Sequence, residues 1–456
     1  MSAGGPSFAL RPFFLNGAGP AAAWRKPEAA GYALVALSIF FSCFTFLRPS
    51  PYEFFAVPAM ALWFVLGLRL HRAALLFVAL LGVYQLALLV ALLPYLAESV
   101  PVMWTAQSVY LTATAVFFVM FFSGDTAIRT ELALRAYLAS CLFAAGAGIL
   151  AFYQDNGILF TLEGRAAGVF EDPNVLGSFL VLGALFLLRP LLTGSARQPL
   201  LLIAGLGILL AAVFLTFSRG SWLALVGGTA ITVLLTFRTS PPAVRRRIAV
   251  ATLVVVAVAV AAMAALLTDD RVADQFSSRA QLTQSYDEGV TGRFGNQLRS
   301  IPMLLERPGG FGPLRYRLIF DLEPHNSYLG GFANGGWVGG FAFTGLVLAT
   351  IVVGWRLATV PSPFRDHAQV VVPALLMFFV QAVQIDIDHW RHVYMLFGMV
   401  WGLECARVRW AEGGRPSPAV PVPFPSPALA APMVRVALRE SAFLSATAPR
   451  PIGDHP

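Results

Sequence analysis

The chain has 456 residues, 57% of them apolar and 12% charged, with a formal net charge of +8. A soluble globule of this length needs a larger charged surface, so composition excludes one and makes lipid the bulk solvent. The positive excess is nearly all arginine, Lys26 being the only lysine, and Cys43, Cys141 and Cys405 sit in apolar runs without disulfide or metal-ligand spacing.

Residues 1–30 are expected to form a disordered cytoplasmic segment. Asn16, Pro20, Arg25 and Lys26 break its apolar stretches, so no signal peptide is legible and the spans are expected to direct insertion. A bilayer core takes about 20 apolar residues per helix. On that measure about twelve transmembrane helices are expected, near 31–47, 53–70, 73–93, 102–123, 132–153, 174–193, 199–217, 221–237, 248–267, 328–355, 369–385 and 393–407. The first nine fill 31–267, and the last three fall in 326–408. The sixth is the weakest, with a short apolar core and Glu171, Asp172 and Pro173 at its entrance. The fold class predicted is an all-α polytopic membrane protein.

Orientation follows arginine placement in the short loops. Arg69 and Arg72, Arg129, Arg189 and Arg197, Arg238 with Arg245, Arg246 and Arg247, Arg356 and Arg365, and Arg407 and Arg409 fall in one set of loops. The alternate loop 94–100 holds no Arg or Lys, and 48–52 holds only Arg48. The first set is expected in the cytoplasm, with both termini. The long loop 268–325 then lies outside. It holds Arg271, Arg279, Arg293, Arg299, Arg307, Arg315 and Arg317. Long loops escape the charge rule, and outer-face arginine has one clear use in holding phosphate. The Pro/Ala-rich tail 409–456 is expected to be disordered and cytoplasmic, with a short surface helix at 433–444.

Four polar clusters fall on one side of this topology. The first is Gly164-Arg165 with Gly168 through Asn174, before the sixth span. Asn174 and Glu171 are candidates for sugar hydroxyls, but capping of the span is the plainer reading. The second is Ser218-Arg219-Gly220-Ser221, in a turn so short that Arg219 must lie near the membrane surface. A guanidinium there either snorkels or holds a lipid pyrophosphate bidentately. The third, Gly292-Arg293, opens an amphipathic helix marked by Phe294, Leu298, Ile301 and Leu305, with Thr291 as its expected cap. Arg293 is either aimed inward by that helix or simply solvated. The fourth is Pro324-His325-Asn326-Ser327-Tyr328, where the long loop enters the tenth span. Positive potential from the helix-start N–H groups is expected to keep His325 neutral, as a general base requires; an ordinary interfacial capping histidine is the plainer reading.

Gly330, Gly331, Gly335, Gly336, Gly339 and Gly340 crowd the start of the tenth span and are read as close helix packing. A fifth patch, Asp386, Asp388, His389 and Arg391, closes the eleventh span. Ion pairing of Arg391 with one aspartate is preferred there to a metal site.

Read together, these clusters resemble the O-antigen ligase and polymerase family. The family's histidine motif is His, then Asn, Ser or Gln, nine residues, Gly, two residues, then Gly, Thr or Tyr. His325-Asn326 and Gly336-Trp337-Val338-Gly339 match it in full. Arg293 through Pro313, Thr216 through Gly220 and Gly164 through Asn174 are also similar to family segments, so the likeness spans roughly 160–345 with the patch near 386–391. The resemblance implies a membrane glycosyltransferase, similar in architecture to the GT-C type, acting on glycans carried by undecaprenyl pyrophosphate. It implies that Arg219, Arg293 and Arg165 hold the pyrophosphate and that His325 assists the acceptor hydroxyl. Asn174, Glu171, Asn326, Tyr328, Asp388 and Arg391 become candidates for glycan binding or support. No metal and no other cofactor is implied, because two arginines can supply the charge a divalent ion would. The partners implied are membrane lipids, the lipid-linked donor, and an acceptor that is lipid A core, another lipid-linked glycan or a protein hydroxyl; no nucleic acid is expected. Ligase and polymerase, in lipopolysaccharide or exopolysaccharide synthesis, stay level. A lipid or polysaccharide transporter is the alternative of another class. It would place charges inside spans, where Arg135 is the main candidate.

Overall fold

The computed structural model describes residues 26–47, 49–154, 159–280 and 289–413. Arg48, residues 1–25 and the tail from 414 onward, including the helix expected at 433–444, lie outside the described residues.

Every apolar segment singled out in the sequence is a helix. Five come first: α1 (Lys26–Phe41), α2 (Pro51–Val65), α3 (Leu75–Leu92), α4 (Ser99–Ser123) and α5 (Thr126–Tyr153). Helix α1 thus begins inside the segment expected to be disordered. A two-stranded antiparallel hairpin follows, β1 (Phe160–Leu162) and β2 (Arg165–Gly168), so the fold is helical but not wholly so. Then come α6 (Pro173–Thr193), α7 (Pro199–Leu215), α8 (Arg219–Thr239) and α9 (Pro242–Leu266). The long connection carries α10 (Asp270–Arg279), α11 (Arg293–Leu305) and α12 (Tyr316–Phe320). Helices α13 (Ser327–Thr359), α14 (Arg365–Gln381) and α15 (Arg391–Glu412) complete the described chain.

Seven of these segments are long and apolar enough to cross a membrane: α4, α5, α6, α8, α9, α13 and the stretch around α3. Helices α2 and α7 are apolar but shorter.

Several helices begin where side chains take up orphan N–H groups. Ser50 and Glu53 form a reciprocal capping box on α2. Asp172 caps α6, Ser218 caps α8 and Asn326 caps α13. Helix α6, expected to be the weakest span, is the most enclosed of these seven, with 83% of its apolar stretch buried. It packs against α5, α7, α8 and α14. Glu171-Asp172-Pro173 is its start signal rather than a sign of weakness. At the other extreme, only 6% of the α9 stretch is buried.

Helix α13 is bent back on itself. Gly336 has φ 65 and ψ −165 in its middle. A Cβ there would lie 2.3 Å from the Pro308 carbonyl oxygen, so only glycine fits. Trp337 N–H donates to that same oxygen at 2.8 Å, and Phe311 N–H donates to the Ala333 carbonyl at 2.8 Å. The two limbs run side by side: the Tyr328 and Phe343 rings lie 5.8 Å apart, and those of Phe332 and Phe341 5.1 Å. Residues 328 and 343 would be about 22 Å apart in a straight helix. The expected tenth span is therefore a short limb, Ser327 to Gly335, followed by a long limb from Trp337. His325 is thereby recessed about 10 Å along the bundle from the bend.

Candidate functional site

The connection between α14 and α15 draws the site together. Gln381 Nε2 donates to the Gly220 carbonyl at 2.7 Å, and a Cβ on Gly220 would lie 2.7 Å from Gln384 Nε2. The Gln384 carbonyl accepts from Arg293 Nη1 at 3.3 Å. Two residues on, Asp386 Oδ1 accepts the Asn326 N–H at 3.0 Å, and Asp386 Oδ2 lies 3.4 Å from His325 Nδ1. Ser327 fastens the same connection: its N–H donates to the Ala382 carbonyl at 2.8 Å and its hydroxyl to the Ile385 carbonyl at 3.0 Å. Arg219 heads α8 beside Gly220, and Arg293 heads α11. Both guanidinium residues and His325 are half-buried. Three of the predicted site residues, far apart in sequence, thus meet around one turn.

His325 does not behave as the helix-start argument expects. Its hydrogen bond to the Asp386 carboxylate raises its pKa above 6.5, against burial and the charge of Arg293. A carboxylate in contact outweighs the diffuse potential of a helix end. The residue also holds φ at 44, a left-handed conformation that costs about 1 kcal/mol for a non-glycine residue. Asp386 gripping both His325 and the next N–H opposes that strain. Burial, with Asp386 second, likewise raises the pKa of neighbouring Glu323.

Arg165 is a brace. It is 6% exposed, donates from Nε to the Thr216 carbonyl at 2.7 Å and from Nη2 to Asn174 Oδ1 at 2.8 Å. These bonds tie β2 and α6 to the turn that carries Arg219. Asn174 does not cap α6. Its N–H and Nδ2 both donate to Asp172 Oδ1, at 2.7 and 2.9 Å, and its carbonyl accepts from Ser221 Oγ at 3.2 Å. Glu171 is exposed. Asn326, not His325, caps α13. Tyr328 donates its hydroxyl to the Phe379 carbonyl at 2.9 Å.

The fifth patch divides differently from the expectation. Arg391 pairs with Glu53 at 2.6 Å and lies over the Tyr52 ring, not with an aspartate of the patch. Asp388 instead faces His389 Nδ1 at 3.3 Å, and its carbonyl accepts the Tyr394 hydroxyl at 2.8 Å. Glu53 was already oriented by the α2 capping box, which is why it wins Arg391.

The arginines of the long connection have more structural uses than their residue type suggests. Arg279 pairs with Glu163, Arg315 with Glu98 and Arg317 with Glu323. Arg271, Arg299 and Arg307 lie over the rings of Phe152, Phe320 and Phe311. Helix α11 is amphipathic as predicted, with Phe294, Leu298, Ile301 and Leu305 exposed and Asn296, Ser300 and Leu304 buried. Its cap position is Gly292; the Thr291 carbonyl instead accepts from Asn296 Nδ2 at 3.0 Å. Arg135 pairs with Glu131 at 2.7 Å, and Glu131 also faces His367, a closed network at the start of α5.

Gln381, Gln384 and the role of Asp386 were missed in the sequence. Their one signal is polar residues at the end of an otherwise apolar span. Residues 204–344 match the family model described as O-antigen ligase. No curated protein matches the chain. The matched stretch encloses Arg219, Arg293, His325 and Gly336, and stops short of Asp386.

Proposed function

We propose that this membrane protein, whose residues 204–344 match the O-antigen ligase family model, transfers a glycan from undecaprenyl pyrophosphate to an acceptor hydroxyl at the periplasmic face of the inner membrane. The observation that carries this reading is the Gln381–Asp386 segment, which joins the Arg219 turn, Arg293 and His325.

In the proposed reaction the acceptor oxygen attacks the anomeric carbon as the bond from that carbon to the pyrophosphate breaks. The electron pair leaves with undecaprenyl pyrophosphate, whose charge Arg219 and Arg293 hold. The hydroxyl proton passes to Nε2 of His325, the nitrogen that faces away from Asp386. Asp386 orients the ring and stabilises the imidazolium that forms, the part a carboxylate plays behind many histidine bases. Arg165 and Asn174 keep the Arg219 turn in place. A pKa above 6.5 suits a base working near neutral pH.

A lipopolysaccharide gel of a deletion strain tests the proposal and divides its branches. Long chains missing from the core, with lipid-linked polymer accumulating, mark a ligase; a single repeat on the core marks a polymerase. Arg293→Ala and His325→Ala should fail to restore the pattern at normal protein levels. Full restoration by either defeats the assignment.

A further inference from the structure

A second basic site lies at the far end of the bundle. Helix α15 starts next to Asp388 and reaches Arg409 eighteen residues after Arg391, about 27 Å away. There a cavity of about 330 Å³ opens between the ends of α2, α4 and α15, lined among others by Trp63, Arg69, Met120, Ser123, Arg129 and Arg409. The Arg129 guanidinium lies 4.4 Å over the Trp63 ring. It donates to the Phe121 carbonyl at 2.9 Å and to Asp125 at 3.0 Å. Arg409 donates to the Ser123 carbonyl. Arg69 and Arg409 are exposed.

The charge there is unbalanced. No carboxylate lines the cavity. Asp125, beside it, answers Arg129, and nearby Glu412 is taken by Arg72. Three arginines against one aspartate leave a net of two positive charges. Each guanidinium has five donors, more than the carbonyl contacts use. The rim is apolar: Leu66, Leu68 and Met120 line the cavity, and Phe64 and Val65 on the adjoining turn of α2 are 54% and 84% exposed. A soluble anion needs no such rim, whereas a phosphate ester attached to acyl chains does.

We infer that this cavity binds the phosphate headgroup of an anionic glycerophospholipid, with Arg69, Arg129 and Arg409 on the phosphate and the acyl chains lying along α2. The site is separate from the His325 cluster and does not depend on the chemistry proposed there.

Native mass spectrometry of the purified full chain, offered equal amounts of phosphatidylglycerol and phosphatidylcholine, tests the inference. Phosphatidylglycerol adducts should exceed phosphatidylcholine adducts by about tenfold, and this preference should vanish in the double variant Arg69→Gln, Arg409→Gln. Both arginines are exposed, so the variant should keep the wild-type melting temperature in phosphatidylcholine, and phosphatidylglycerol should raise that temperature for the wild type alone. An undiminished preference in the variant overturns the site. Displacement of the lipid by millimolar inorganic phosphate overturns the lipid as its ligand.

Discussion

Asp386 serves two donors at once, the His325 ring and the Asn326 N–H, so its removal should show in the pH dependence and not only in the rate. Transfer needs a neutral His325, and activity should fall as pH drops through its raised pKa. In Asp386→Asn the raising contact is lost while burial and Arg293 still lower the pKa. The acid limb should therefore move to lower pH as the maximal rate falls about 10²-fold; an unmoved limb would separate Asp386 from the base. Arg219→Lys should lose about 2 kcal/mol of pyrophosphate binding, because a point charge cannot replace a planar fork. Donor titration with the purified enzyme measures this, and wild-type affinity would return Arg219 to lipid snorkelling. At this scale the arginines and His325 were legible as residue types that are costly at membrane depth. Their partners were not: Asp386 and Arg391 are five apart and opposite in charge, yet each pairs elsewhere.

Among the elements, α13 carries the sharpest test. Gly336→Ala would put a methyl 2.3 Å from the Pro308 carbonyl at φ 65, and should cost about 2 kcal/mol or more of stability. Gly330→Ala meets its nearest neighbour at an ordinary 3.7 Å and should be nearly neutral. Thermal unfolding of the two variants in detergent compares them. Equal melting temperatures would mean that the glycines serve only close packing. The long apolar helices could be read from the sequence, because the length of apolar runs survives any tertiary arrangement. The bend could not, since its cause is the turn at Pro308–Gly310, far along the chain and silent in local periodicity. Helix α6 misled for a related reason: its polar entrance is a capped start inside the bundle, and the 21-residue apolar helix begins directly behind it.

For the whole molecule, the proposed arrangement puts the His325 cluster at one end of the bundle and most short-loop arginines at the other. Cys43, Cys141 and Cys405 are all buried, so single introduced cysteines report cleanly. Val290→Cys, on a residue 72% exposed near Arg293, should react with a membrane-impermeant maleimide on spheroplasts. Gln198→Cys, between α6 and α7, should react only after permeabilisation. The reverse pattern would turn the protein over in the membrane and remove the site from the periplasm. The alternation of arginine between loops is the sequence basis of this proposed polarity, although the long connection spends much of its arginine on ion pairs and aromatic faces.

Helix α9 carries the basic run Arg245–Arg247 in its first turns and precedes α10 and the connection to Arg293, yet leaves almost all of its apolar stretch unburied. Hydrocarbon does for it what side chains do for α6. Its residues are held to oiliness and length more than to shape, so drift among Val, Ala and Leu there costs little. The thickness and fluidity of the surrounding lipid then become part of what holds the His325 end of the molecule in register.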